Sequence, residues 1–265
     1  MWHTAYAPRM RKAATASLAT GLSLVVLTAC TTGSHGDGPD TRPDPSRPQI
    51  GTVQISSART KTGARTYATS RFWAPATEAR PSCSGEKETD NNVETTPRDP
   101  GKISVEIGGR VVISDLRSDT HFDEALWNGP GERIVIRSEG AEVPAFEGVV
   151  TSPAAIVVEP FSGFVSSNDS AIELTWSGGI SGDTVLVWSQ DSGGYAWCNF
   201  SAEAGRGTIP ANVVALAADG YGDDPPIGGV LTVRKTYVDV RGDNVVLMAL
   251  SEATWPSGYA ADEIF

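Results

Sequence analysis

Histidine is nearly missing from this chain of 265 residues, which has three, and only His121 lies beyond residue 50. Any Ser-His-Asp or Cys-His arrangement in the later sequence would have to use that residue. Cysteine is equally rare, at three residues. Cys83 and Cys198 have no histidine beside them and form no C-x-x-C pair, which leaves no zinc pattern. There is no G-x-S-x-G elbow, since Gly179-Ile180-Ser181 runs into Gly182-Asp183, and there is no phosphate loop or H-E-x-x-H. Basic residues are also in deficit, 21 against 32 acidic ones, for a net charge of −11. A surface of that sign repels nucleic acid and anionic lipid headgroups, so nucleic acid is excluded as a partner.

Acidic residues are absent before Asp37, and that region has a distinct order. Arg9, Arg11 and Lys12 form a basic patch, followed by small or apolar residues through 29, the strongest run being Leu22-Ser23-Leu24-Val25-Val26-Leu27. Basic patch, apolar stretch and small-residue cut site is the order of a secretory signal peptide. Thr15, Ser17, Thr20, Gly21 and Ser23 dilute the apolar stretch, making it a poor match to a hydrocarbon core of roughly 30 Å. Met10, directly before Arg11, is an alternative start.

The stretch ends in Leu27-Thr28-Ala29-Cys30, which resembles the lipobox of bacterial lipoproteins. The resemblance implies cleavage before Cys30 and a diacylglyceryl thioether on its sulfur. It also implies several acyl chains on one residue, enough for durable anchoring where a single chain binds marginally. The expected location is the bacterial cell envelope, and Thr31 in place of Asp points to the outer membrane. Cleavage would remove three basic residues and no acid, leaving a head more acidic still. The partner expected first is therefore the membrane, reached through lipid on Cys30 and not through charge.

After Cys30, residues 31–49 hold Gly33, Gly36, Gly38, Pro39, Pro43, Pro45 and Pro48 with almost nothing apolar, the composition of a solvated tether. Extended at about 3.1 Å per residue, it would reach roughly 60 Å. In an oxidising compartment an even pair of cysteines is more often a disulfide than two free thiols, so Cys83 and Cys198 are expected to pair.

From residue 52 onward, short runs rich in Val, Ile, Thr and aromatics alternate with Gly, Pro, Asp and Ser. That rhythm predicts an all-β sandwich. In Ile172-Glu173-Leu174-Thr175-Trp176 the odd and even positions separate cleanly, predicting a core face of Ile172, Leu174 and Trp176. Residues 83–100, charged and without an apolar period, read as a long exposed loop. Thr208 as cap, Pro210 at the first position and Val213, Val214 and Leu216 as a stripe predict one short helix.

Three stretches resemble those of uncharacterised bacterial lipoproteins with Ig-like sandwiches. They are Gly140–Phe146 with Pro153–Ile156, Leu174–Gly179, and Cys198–Ala202 leading into Gly207–Ala211. The resemblance covers roughly residues 130–250 and carries no catalytic motif. The chain is thus expected to divide into a signal peptide (1–29), the lipidated cysteine and linker (30–51), a β-rich region (52–153), an Ig-like β-sandwich (154–252) and a tail (253–265).

His121 lies among Asp119, Asp123 and Glu124, and Asp219, Asp223 and Asp224 form an acidic run. Both read as solvated turns, so no metal and no cofactor are expected. In Tyr195-Ala196-Trp197-Cys198-Asn199-Phe200, alternation sets Cys198 and Phe200 against Tyr195 and Trp197. If the cysteine faces inward, Tyr195 and Trp197 are a candidate ligand-gripping pair, joined by Trp188 and Tyr221. The expectation is a non-enzymatic binding or structural protein whose partner is an envelope protein or a glycan. The alternative is a cell-wall or polysaccharide hydrolase using an acid pair that no motif reveals.

Overall fold

The computed structural model describes residues 44–60, 63–76, 82–87, 96–116, 119–159, 170–191, 194–218 and 227–254. Cys30, the segments flanking it, the acidic run at 219–224 and the tail from 255 lie outside the described residues.

The chain forms the strands β1 (Gln49–Thr60), β2 (Gly63–Ala76), β3 (Cys83–Lys87), β4 (Ile103–Ile107) and β5 (Arg110–Ile113), of which β4 shows the plain alternation of β-branched and polar residues. They continue as β6 (Thr120–Phe122), β7 (Arg133–Ser138), β8 (Phe146–Thr151), β9 (Val157–Val158) and β10 (Ile172–Ser177). The last five are β11 (Thr184–Asp191), β12 (Gly194–Ser201), β13 (Arg206–Ile209), β14 (Ile227–Val240) and β15 (Asp243–Glu252), with a helix α1 (Ala211–Ala218) before β14. The protein is an all-β sandwich.

One large sheet, ordered β3-β12-β11-β14-β15-β1-β2-β6, carries two smaller sheets, β5-β4-β7-β8 and β13-β10-β9. The first strand closes against the last: β1 and β15 run parallel, from Gln49 opposite Asn244 to Ser57 opposite Ser251. This pairing binds the start of the head to its end, so the large sheet crosses the boundary expected at 153/154.

Two cores lie beneath the small sheets. The first joins Ile103, Val105, Ile134, Ile136 and Phe146 to Val53, Ile55, Val245 and Leu247 of the large sheet. The second joins Ile156, Leu174, Trp176 and Ile209 to Val185, Val187 and Cys198, with Val213 and Val214 of α1. Each such fully buried side chain contributes about 1.5–3 kcal/mol. The predicted face of β10 is found as expected: Ile172, Leu174 and Trp176 are buried and Glu173 and Thr175 exposed. Gly148 lets β8 come close to the large sheet, because a Cβ there would strike Val238 and Leu247.

The small sheets are pinned to the large one by a buried charge. Asp183 accepts a hydrogen bond from the Ala154 backbone N–H at 3.0 Å and pairs with the Arg234 guanidinium. Its backbone carbonyl accepts from Ala202 N–H at 3.0 Å.

The structure corrects several sequence expectations. Cys83–Lys87 is an edge strand and not part of a loop, because β12 supplies a hydrogen-bonding partner for a segment with no apolar period of its own. The linker ends earlier than residue 51: Ile50 is in the core, Asp44 and Arg47 accept hydrogen bonds from the Asn244 amide, and Arg47 pairs with Asp239. Thr208 does not cap the helix; it belongs to β13, and the Pro210 carbonyl opens α1 by accepting from Val213 and Val214.

Candidate functional site

The large sheet has a second face, turned away from both cores. On β1, Val53 and Ile55 enter the core, so Gln54 and Ser56 face the other way. On β15 the same rule sends Val245, Leu247 and Ala249 inward and Leu250 and Glu252 outward. On β11, Val185 and Val187 enter the second core and leave Leu186 and Trp188 on the outer side.

Strand register aligns these outward residues in rows. One row runs Leu186, Leu231, Glu252 across β11, β14 and β15. The next runs Val233, Leu250, Ser56, Tyr67, His121 across β14, β15, β1, β2 and β6. The face is therefore divided. Its β11–β14–β15 side carries Leu186, Trp188, Leu231, Val233 and Leu250, with the Glu252 carboxylate at the end of β15, and its β1–β2–β6 side carries hydroxyl, amide, imidazole and charged groups.

A cavity of about 600 Å³ lies over the seam between the two halves. Leu186, Trp188, Leu231 and Leu250 line it on the apolar side, and Gln54, Ser56, Arg65, Tyr67 and His121 on the polar side. Drug-sized ligands occupy pockets of about 300–1,000 Å³. Arg65 reaches over to Glu252, with Nη2 at 3.2 and 3.3 Å from its two carboxylate oxygens. The Glu252 side chain is only 13% exposed, against 52% for Arg65. Glu252 is thus a charge already engaged at the cavity wall.

The polar side has its own internal order. The Tyr67 and His121 rings pack at 4.9 Å between centroids. Burial, and then the neighbouring Asp119, push the Tyr67 phenol above its ordinary value. The pull of the Thr69 hydroxyl, and then of the Tyr67 hydroxyl, holds the exposed Asp119 carboxyl below the usual range. His121 sits on β6, an edge strand, not in a turn. Among the described residues no group of three His, Cys, Asp or Glu side chains could hold a metal ion.

The cysteine expectation and the aromatic expectation fare differently. Cys83 and Cys198 stand directly opposite each other on β3 and β12 with sulfurs 2.13 Å apart, at disulfide distance. Trp197 lies on the side that alternation assigned to it, opposite Trp188 on β11, yet it is 7% exposed. It is buried and forms no open platform. Tyr195 is described by its backbone pairing alone, and Tyr221 lies outside the described residues.

Of the cavity wall, sequence reasoning had named Trp188 and His121 and missed Gln54, Ser56, Arg65, Tyr67 and Glu252. The signal for these was alternation: Val-Gln-Ile-Ser on β1 and Arg65-x-Tyr67-x-Thr69-x-Arg71 on β2 each keep polar groups on one side. No protein-family model matches the chain, and no curated protein matches it in sequence.

Proposed function

We propose that this is an exported bacterial lipoprotein, held in the cell envelope by acyl chains on Cys30, whose β-sandwich head binds a small ligand and performs no catalysis. The observation that carries the anchoring is the run Leu27-Thr28-Ala29-Cys30 closing a basic-then-apolar leader. The Gly- and Pro-rich segment between Cys30 and β1 suits a spacer that lifts a head from a bilayer.

The cavity on the outer face of the large sheet supports the binding role. It joins a hydrophobic wall to a few convergent polar groups, the ordinary make-up of a ligand site. The two carboxylates bordering it do not favour an acid pair for hydrolysis, since Glu252 is engaged by Arg65. The envelope, reached by lipid, remains the proposed setting, with the outer membrane as the site of display.

Fractionation of cells expressing the full chain tests the anchoring. The chain is expected in the membrane fraction, and Cys30→Ser is expected to release it to the soluble exported fraction. Equal membrane retention of both would contradict the reading.

A further inference from the structure

We infer that the cavity takes an amphiphile: a molecule with an apolar body and an uncharged, hydroxyl-bearing head. This rests on the binding role proposed above and names the ligand class for the same site.

The division of the wall carries the inference. Trp188, Leu231 and Leu250 form one side of the cavity, and hydrogen-bonding Ser56 and Tyr67 form the other. The order follows from the register, which places Leu250 beside Ser56 and Ser56 beside Tyr67. A wholly polar ligand would leave the leucine and tryptophan side wet, with no gain from burial. A wholly apolar ligand would strip water from Ser56 and Tyr67 without replacing its hydrogen bonds. A ligand with one end of each kind satisfies both sides.

Charge decides the nature of the head. Arg65 is engaged by Glu252, with Nη2 at 3.2 Å from its carboxylate. Among the described residues that line the cavity Arg65 is the one Arg or Lys, its charge is already matched by Glu252, and the whole chain is acidic at −11. An anionic head would meet repulsion, whereas sugar-like hydroxyls find the Ser56 hydroxyl, the Gln54 amide and the lone pairs of the Tyr67 oxygen, whose proton is turned to Asp119.

Calorimetric titration tests this on the full chain carrying Cys30→Ser, purified without detergent. The probes are octyl glucoside below its micelle concentration, glucose, octanol and octanoate. Octyl glucoside is expected to bind saturably at one per chain, at least tenfold tighter than the other three. Trp188→Ala and Tyr67→Phe are each expected to weaken it at least tenfold and threefold respectively, with the far-ultraviolet circular dichroism unchanged. If Trp188→Ala disturbs the fold, Tyr67→Phe, which removes only an oxygen, still decides the point.

Equal or tighter binding of glucose, octanol or octanoate overturns the amphiphile but leaves a binding head. Octyl glucoside binding indifferent to both substitutions overturns the assignment to this cavity. Absence of saturable binding by all four overturns the amphiphile and the binding role together, while anchoring at Cys30 is judged separately by fractionation.

Discussion

Replacing Asp183 with Asn should destabilise the head strongly and in a way that depends on Arg234. The Asp183 carboxylate is fully buried and holds both the Ala154 N–H and the guanidinium of Arg234, whose side chain is 25% exposed. Asparagine keeps an acceptor for Ala154 but removes the anion. Breaking a buried pair from one side costs about 3–5 kcal/mol, and the partial exposure of Arg234 places this case near about 3. Arg234→Met alone leaves the carboxylate buried without its cation and should cost a similar amount. With both substitutions present, neither charge is stranded, and the loss should fall to about 1–2 kcal/mol. Urea unfolding followed by tryptophan fluorescence measures each variant, with the double-mutant cycle giving the coupling. Single losses that add to within about 0.5 kcal/mol would refute the claim that the two charges act as one unit.

Three further outcomes follow from the same structure. Reduction, or the double change Cys83→Ser with Cys198→Ser, frees a link between residues 115 apart and should lower stability by about 2–5 kcal/mol, read as a lower urea midpoint. The β14–β15 turn places Arg241 at φ 56° and Gly242 at φ 94°, the mirror-image turn that favours Asn-Gly, so Arg241→Asn should raise stability by up to about 1 kcal/mol in the same assay. Tyr67 should ionise above the usual tyrosine value of 10.0 in a spectrophotometric titration, and Asp119→Asn should bring it down only in part, because burial is the larger cause. The sign follows from the raised pKa: the stabilisation it reflects is full below the unfolded-state value and is lost as the pH rises through the folded one.

Alternation made much of the head readable in advance. The strands with apolar residues on one side only, such as β4 and β10, are found where that pattern lies, since burying one face requires it. What was not readable depends on partners remote in sequence. β3 has the sequence Cys-Ser-Gly-Glu-Lys and is a strand because β12 pairs with it and Cys198 stands opposite Cys83. β6 has three residues, too few for any periodicity, yet it brings His121 to Tyr67. The parallel meeting of β1 with β15 has no local signal, and it determines that Ser56 and Leu250 share one cavity. Trp197 gives the complementary lesson: period-two reasoning gave its side of the sheet, but the side away from a core is not thereby open to solvent.

The central claim is that a lipid on Cys30 displays this head at a membrane. Mass spectrometry of the N-terminal peptide of the protein extracted from its native envelope tests it most directly. The account predicts a peptide that begins at Cys30 and carries the mass of a diacylglyceryl group with its acyl chains. A peptide that runs unmodified through Cys30, or begins beyond it, would contradict the account.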